Sequence, residues 1–205
     1  MRKTLITWML VLLSVMLMTS CVDNTNSEPT YKVGGQGPAG GIIFYDVDAD
    51  NASDNPDGLI AYDCGWRYLE GAKNDATYNA SDSIAWSNQG VASGLGTAIG
   101  TGKTNTLQLL EEKKKSTTGL TYPAAEACDA FGDTTDFDDW FLPSKDELNL
   151  MYINLQKTRR IIGSNTYWSS SEYDGDTAWK QYFWDGSQSN AARGNANDVR
   201  PIRRF

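Results

Sequence analysis

The sequence predicts an α+β domain, a mostly antiparallel mixed fold with two to three helices and long loops. Short β-branched and aromatic runs gather at both ends of the chain, at 42–45, 59–62 and 66–69 and again at 167–171, 177–184 and 199–205. Helical patterns fill the middle, between 104 and 155. Gly, Asp, Asn and Ser punctuate the runs at both ends, as turns between paired strands require.

The chain opens with a segment that is not part of this fold. Arg2 and Lys3 precede an apolar run from Leu5 to Met18, too short for a membrane span, and Leu17-Met18-Thr19-Ser20-Cys21 has the form of a bacterial lipoprotein processing box. The expected organisation is a signal peptide at 1–20, a lipid-anchored flexible tether at 21–30 and a folded domain at 31–205. Cys21 is then the lipidated first residue, and several acyl chains hold the protein firmly to a membrane surface. Residues 22–30 are polar and aperiodic, as a spacer is.

The folded part begins near Tyr31. Gly34 to Gly41 is glycine-rich but contains a single Gly-Pro-Ala triplet, so it is a turn and not a collagen segment. Strands are expected at Ile42-Ile43-Phe44-Tyr45, Leu59-Ile60-Ala61-Tyr62 and Trp66-Arg67-Tyr68-Leu69, each bounded by Gly or Asp.

Three helices follow. From Thr104 to Lys115, Leu107, Leu110 and the stem of Lys114 share one face, and the lysines at 113–115 suit the negative end of the helix dipole. Pro123 suits a first helical position, with Ala124, Cys128 and Phe131 at helical spacing before Gly132. Ser144-Lys145-Asp146-Glu147 is a Ser-x-x-Glu capping box, with Leu148, Met151, Tyr152 and Leu155 as the buried stripe. In the final strands, Trp179, Gln181 and Phe183 alternate with Lys180, Tyr182 and Trp184, so one face packs while the other presents large amphipathic groups.

Composition narrows the chemistry. The chain of 205 residues has no histidine, which removes every Ser-His-Asp, Cys-His and His-metal arrangement. Without the signal segment it holds sixteen basic and twenty-six acidic side chains, a balance that disfavours nucleic acid as a partner. Residues 21–144 have seven basic and nineteen acidic groups, whereas residues 145–205 have nine and seven. Pairing of Arg200, Arg203 and Arg204 with carboxylates of the first half across a shared sheet accounts for this asymmetry; a patch for an anionic ligand is the other reading.

Cys64 and Cys128 remain in the domain, and export permits a disulfide between them. Such a bridge closes about 65 residues and contributes about 4 kcal/mol in the chain-entropy model; two buried free thiols are the alternative. The loop-like Gly96–Thr104 stretch resembles a phosphate-binding P-loop, but five residues stand between Gly96 and Gly102-Lys103-Thr104 where the motif has four. Asp46, Asp48 and Asp50, followed by Asp54 and Asp57, supply oxygen ligands of the kind Ca²⁺ takes. Asn51 and Asp57 break the EF-hand pattern, so a structural calcium site and a solvated acidic loop both stand. No other cofactor is expected.

Six phrases in order, Gly40-Gly41-Ile42-Ile43-Phe44-Tyr45-Asp46, Gly65-Trp66-Arg67-Tyr68-Leu69-Glu70, Thr97–Lys103, Asp139-Trp140-Phe141-Leu142-Pro143-Ser144-Lys145-Asp146-Glu147-Leu148, Tyr167-Trp168-Ser169-Ser170-Ser171-Glu172 and Val199-Arg200-Pro201-Ile202-Arg203, resemble the Lcl C-terminal domain family over roughly residues 31–205. The family is named for the C-terminal domain of a bacterial collagen-like adhesin. The resemblance implies a C-type-lectin-like fold, related to formylglycine-generating-enzyme-like domains, with the first and last strands brought together. Named adhesin relatives bind sulfated glycans. The tail also resembles the variable ends of lectin-fold proteins diversified by retroelements: Tyr182, Asp185, Ser187, Ser189, Ala191, Ala192, Arg193, Asn195 and Asn197 all belong to the set reachable from an AAC codon by changing its adenines. Lys180 and Trp184 do not, and an ordinary polar surface loop fits the same residues.

These observations together give an expectation of a lipid-anchored protein of the bacterial cell envelope, at the outer membrane and surface-exposed, that binds a glycan or a host or cell-surface protein without catalysis. The expected contact residues are Tyr173, Asp174, Lys180, Tyr182, Trp184 and Arg193, because rings give contact area at low entropy cost and short polar groups give adaptable hydrogen bonds. Two alternatives remain: a structural envelope lipoprotein with no dedicated ligand, and an oxidase-like enzyme using Cys64 and Cys128 with copper, as the formylglycine-generating relatives do.

Overall fold

The computed structural model describes residues 31–47, 65–89, 94–132, 136–156 and 165–205. In chain order the elements are β1 (Ile42–Asp46), β2 (Tyr68–Gly71), β3 (Ile84–Ala85), α1 (Gly102–Lys115), α2 (Pro123–Phe131), α3 (Lys145–Met151) running into a π-turn (Tyr152–Gln156), β4 (Thr166–Glu172), β5 (Thr177–Tyr182), β6 (Gln188–Ala192), β7 (Ala196–Asn197) and β8 (Ile202–Arg204). The expected α+β architecture is present. Among the described residues the sheets are β1-β2-β8, β3-β7 and β4-β5-β6, with antiparallel pairing throughout. Residues Tyr31–Phe205 form one compact unit. The expected strand at 59–62 and the residues Cys21, Asp48, Asp50 and Cys64 lie outside the described residues.

β4 divides the interior. Its side chains alternate between faces, so neighbouring Tyr167 and Trp168, both fully buried, point into different cores. Trp168 joins Ile84, Trp86, Leu109, Tyr122, Cys128 and Leu142, whereas Tyr167 joins Phe44, Phe141, Leu148, Met151 and Phe183. Two indoles tie the segment around β3 to β4: Trp86 Nε1 donates to the Ser169 carbonyl at 2.7 Å, and Trp168 Nε1 donates to the Ile84 carbonyl at 2.8 Å. Each bond satisfies a polar group that burial would otherwise leave stranded.

The tail is fastened to the first half by ion pairs of Arg200 and Arg203, as the charge asymmetry suggested, whereas Arg204 donates to the Gly100 carbonyl at 3.5 Å. Glu70 and Arg203 stand opposite one another in the β2–β8 register. Arg203 donates to Glu70 at 3.3 Å and, through Nε and Nη2, to Asp139 at 2.7 and 3.0 Å. Glu70, at 0% exposure, also accepts from the backbone N–H groups of Ala39 and Gly41 at 3.1 and 2.8 Å. Gly37 is required at this point, because a Cβ there comes within 2.3 Å of the Glu70 carboxyl carbon. Arg200 donates to Asp75 at 2.5 Å and to the carbonyls of Ala72 and Lys73, both at 2.9 Å.

α3 starts on the expected capping box: Ser144 Oγ accepts from the Glu147 N–H at 3.2 Å, and Glu147 Oε2 accepts from the Ser144 N–H at 2.7 Å. The other Glu147 oxygen accepts from the Gly100 N–H at 2.8 Å. The P-loop-like stretch is thus held by one of the protein's own carboxylates. α2 buries Pro123, Ala124, Ala125, Ala127 and Cys128, matching its predicted face.

α1 corrects its prediction. The buried residues are Gly102, Asn105, Thr106 and Leu109, and Leu107 is 54% exposed. The helix docks through polar groups: the Asn105 amide donates to the Gly96 carbonyl at 2.7 Å and to Ser170 Oγ at 3.0 Å, while Thr106 Oγ1 accepts from the Leu142 N–H at 3.0 Å. Satisfying loop backbone outweighs burying Leu107 here.

Cys64 lies outside the described residues, and Cys128 is a free thiol at 0% exposure, in keeping with the buried-thiol alternative. Its position on the inner face of α2, packed among apolar side chains, leaves it as core filling, and burial pushes its thiol well above the ordinary range.

Two measurements follow from this architecture. Replacing Glu70 with Ala leaves Arg203 paired with Asp139 alone and strands the buried N–H groups of Ala39 and Gly41, and urea denaturation is expected to show a loss of about 3 kcal/mol; a loss below about 1 kcal/mol contradicts the assigned role. Burial raises the Glu147 carboxyl from 4.5 to about 7, against the opposing Ser144 and Gly100 N–H donors and Arg204. The folded state therefore binds more protons than the unfolded state between these values. The resulting stability is fully present below about pH 4.5 and is lost as pH rises through about 7. The difference in denaturation midpoint profiles between the wild type and Glu147→Gln is expected to isolate this slope.

Candidate functional site

The alternation predicted for β5 sets the geometry of its two faces. On one, Gln181 and Phe183 are buried and Trp179 is half-buried; on the other, Ala178 is buried, Lys180 and Tyr182 are half-buried, and Trp184 just beyond the strand is 56% exposed. Cross-strand pairing places Tyr167 and Gln188 with Gln181, and Trp168 and Ser189 with Lys180.

The first face is covered by α3. The Gln181 amide donates to Asn149 Oδ1 at 2.9 Å, and the Gln188 amide donates to the Lys145 carbonyl at 2.9 Å. Beyond the end of this cover lies a small aromatic group. The Lys145 ammonium sits 4.6 Å from the Trp179 ring centre, and Tyr173, 54% exposed, meets Trp179 edge-on at 5.1 Å.

Among the described residues, the second face is covered only at its Thr177 end, where Ala178 and Ala191 pack with Trp168. Its other end is open. There Lys180 Nζ lies 4.6 Å over the Tyr182 ring, and the Tyr182 and Trp184 rings stack at 4.4 Å with a 42° tilt. Hydrogen bonds with Lys180 and Ser189 lower the Tyr182 phenol below its ordinary value. The β5–β6 turn is fixed from behind: Gly186 has φ of +81°, and a Cβ at that position falls 2.1 Å from the Tyr152 ring. Only glycine fits both the conformation and the contact.

The six expected contact residues therefore separate into three groups. Lys180, Tyr182 and Trp184 form one cluster. Tyr173 belongs to the other face, with Trp179 and Lys145, two residues that the sequence reading did not place in a site. Asp174 and Arg193 have structural roles. Asp174 Oδ1 accepts from the Asp176 and Thr177 N–H groups at 2.9 and 2.7 Å and from the Thr177 hydroxyl at 2.8 Å, and these bonds hold its carboxyl below the usual range. Arg193 is buried at 3% exposure, which corrects its assignment as a contact residue. It donates to Glu172 at 2.9 Å and to the Asp174 carbonyl at 2.5 Å, and its guanidinium lies 4.6 Å over Trp86. The desolvation cost of an unpaired guanidinium fixes it there.

Asp46 is likewise withdrawn from the proposed calcium set. Both its oxygens accept from Arg67, at 2.9 and 3.1 Å, so the guanidinium occupies the positions a cation needs. A larger cavity, about 550 Å³, lies between α1, α2 and Thr77–Asn79. At its centre Glu126 accepts from Lys113 at 2.8 Å and from Tyr78 at 3.0 Å. Burial favours the neutral acid, but Lys113, the Tyr122 N–H and Tyr78 together bring the Glu126 carboxyl below its ordinary value. Its principal charges are matched internally, which makes it a weaker candidate than the open aromatic cluster.

No family model matches the chain, and no curated relative matches it. Among solved structures it is similar to a fimbrial protein from Bacteroides ovatus ATCC 8483, with a TM-score of 0.52 and 14% sequence identity over 80% of this chain and 44% of that one. The chain thus spans under half the length of that protein, and the likeness is one of fold. Among the described residues, no helix is long and apolar enough to cross a membrane.

The separation of roles is measurable by thermal denaturation. Arg193→Ala is expected to destabilise by about 3 kcal/mol through the loss of the buried charge pair with Glu172 and of the bond to the Asp174 carbonyl, whereas Trp184→Ala is expected to change stability by no more than about 0.5 kcal/mol.

Proposed function

We propose that this domain is a non-catalytic ligand-binding module of a surface-exposed bacterial lipoprotein, anchored through Cys21, which engages a glycan or a host or cell-surface protein with its Lys180, Tyr182 and Trp184 cluster. The carrying observation is that cluster's position: two stacked rings and an ammonium stand on the open end of a strand whose opposite face is buried under α3. Rigid rings backed by a packed sheet lose little entropy on contact, which is how recognition surfaces obtain affinity. The resemblance to the Lcl C-terminal domain family and the fold likeness to a fimbrial protein support the same reading.

Tyr173, Trp179 and Lys145 offer a second contact surface on the other side of the sheet. Arg193 supports this reading as a positioning residue, since its bond to the Asp174 carbonyl holds the β4–β5 turn.

The test is the Lys180→Ala, Tyr182→Ala, Trp184→Ala triple variant, compared with wild type on a glycan and surface-protein array and on intact host cells. Binding is expected to fall by at least about tenfold, a loss of about 1.4 kcal/mol, with an unchanged circular dichroism spectrum. Unchanged binding by the triple variant overturns the placement.

A further inference from the structure

Trp184 does not stand alone: it forms one wall of a shallow depression of about 370 Å³, lined also by Ser83, Asn165, Thr166, Asn197 and Asp198. Thr166 pairs with Tyr182 across β4 and β5, so the depression adjoins the Lys180 cluster on the same face of the sheet. Three features meet in it. The first is the exposed face of the indole. The second is the Asn197 side chain, whose Nδ2 is shielded from solvent and has no hydrogen-bond partner. A buried amide donor left this way costs roughly 1–3 kcal/mol, and the usual resolution is a ligand or an ordered water. The third is Asp198, whose Oδ2 accepts from the Asn165 amide while Oδ1 has no partner among the described residues.

A flat ring, an amide donor and a carboxylate acceptor around a space for one ring match a specific ligand chemistry. A pyranose presents an apolar C–H face to an aromatic surface and hydroxyls that donate and accept along its rim. The local charge restricts the choice further. Burial raises the Asp198 carboxyl, and the neighbouring carboxylates of Asp75 and Asp82 raise it again, opposed by Asn165 and Arg200. Arg200 is already paired with Asp75, and the nearby Lys180 ammonium lies over Tyr182. An acidic surrounding of this kind repels sulfate and carboxylate substituents.

We infer that the Trp184 depression is a subsite for an uncharged hexopyranose, with the indole stacked on the sugar's C–H face, the Asn197 amide turning outward from its shielded, unsatisfied position to donate to a hydroxyl and the Asp198 carboxylate accepting from one. The inference rests on the ligand-binding reading above and deepens it, by naming the ligand class and by placing sulfated sugars outside this subsite.

The test uses the domain labelled with 5-fluorotryptophan, with the Trp184 ¹⁹F resonance assigned by its loss in Trp184→Phe. Methyl glycosides of galactose, glucose and mannose, and N-acetylglucosamine, are titrated against galactose 6-sulfate. At least one neutral sugar is expected to shift the Trp184 resonance saturably, with millimolar affinity. Asn197→Ala and Asp198→Asn are each expected to weaken that binding by roughly tenfold, with the remaining tryptophan resonances unmoved to certify the fold. If these variants do not fold, Trp184→Ala is compared with wild type by the saturation-transfer signals of the neutral sugar itself, and weaker binding by the variant is the supporting outcome. No neutral sugar shifting Trp184 at up to about 50 mM, or tighter binding of the sulfated sugar, overturns the inference. If that happens while the Lys180, Tyr182 and Trp184 triple variant still loses array or cell binding, the module reading stands and only the sugar subsite falls; if the triple variant keeps its binding, both fall.

Discussion

The placement of everything near the carboxyl end depends on guanidinium groups withdrawn from water. Arg203 is shared between Glu70 and Asp139, and Arg200 between Asp75 and two backbone carbonyls. Burying such charges is expensive, and apolar residues of the same shape often stabilise a core as well. What the pairs supply is register. A shift of one residue along β2 turns Arg203 away from Glu70 and exposes the whole inner face of β8 to the wrong side. With 69–76 and 199–204 locked side by side, β7 meets β3, and Asp198 comes to rest beside Thr166 and Asn165. The position of the depression beside Trp184 follows from that lock.

β4 exerts the second constraint. Because it is buried on both sides, it leaves the β4–β5–β6 sheet with two unlike faces, one largely covered by α3 and one that, among the described residues, is open beyond Ala178. A stretch that reads as one continuous surface in sequence is therefore cut in two by the pleat. Tyr173 and Trp179 fall on the helix side, and Lys180, Tyr182 and Trp184 on the other. Such a sheet presents two small contact areas whose compositions vary independently, since alternate positions answer to different surroundings.

The sequence made legible whatever rests on a local rule. Ser144 and Glu147 announce a helix start because the box is satisfied within four residues, and Pro123 and Gly132 bound α2 for equally local reasons. The excess of cations in the last third foretold the Arg200 and Arg203 pairs, because a chain with so many first-half carboxylates has few other ways to bury arginine. Long-range choices were not legible. Leu107 and Leu110 mimic an inner face at α1, yet the helix docks through Asn105 and Thr106, whose partners lie near Gly96, Leu142 and Ser170. β6, Gln188 to Ala192, has little strand propensity of its own and exists through its pairing with β5. For the site, the alternation along β5 identified Lys180, Tyr182 and Trp184. It missed Trp179 with Lys145, which a helix elsewhere in the chain brings together, and it misplaced Arg193, whose partners Glu172 and Trp86 carry no signal in spacing.

Tyr31 packs edge-on against Phe205 at 5.1 Å and against Tyr68 at 5.5 Å, so the first and last described residues touch. A folding unit whose entrance and exit adjoin makes a cassette: it can be spliced into a surface turn of a host chain with short joints on either side, and neither interior needs to open to receive it.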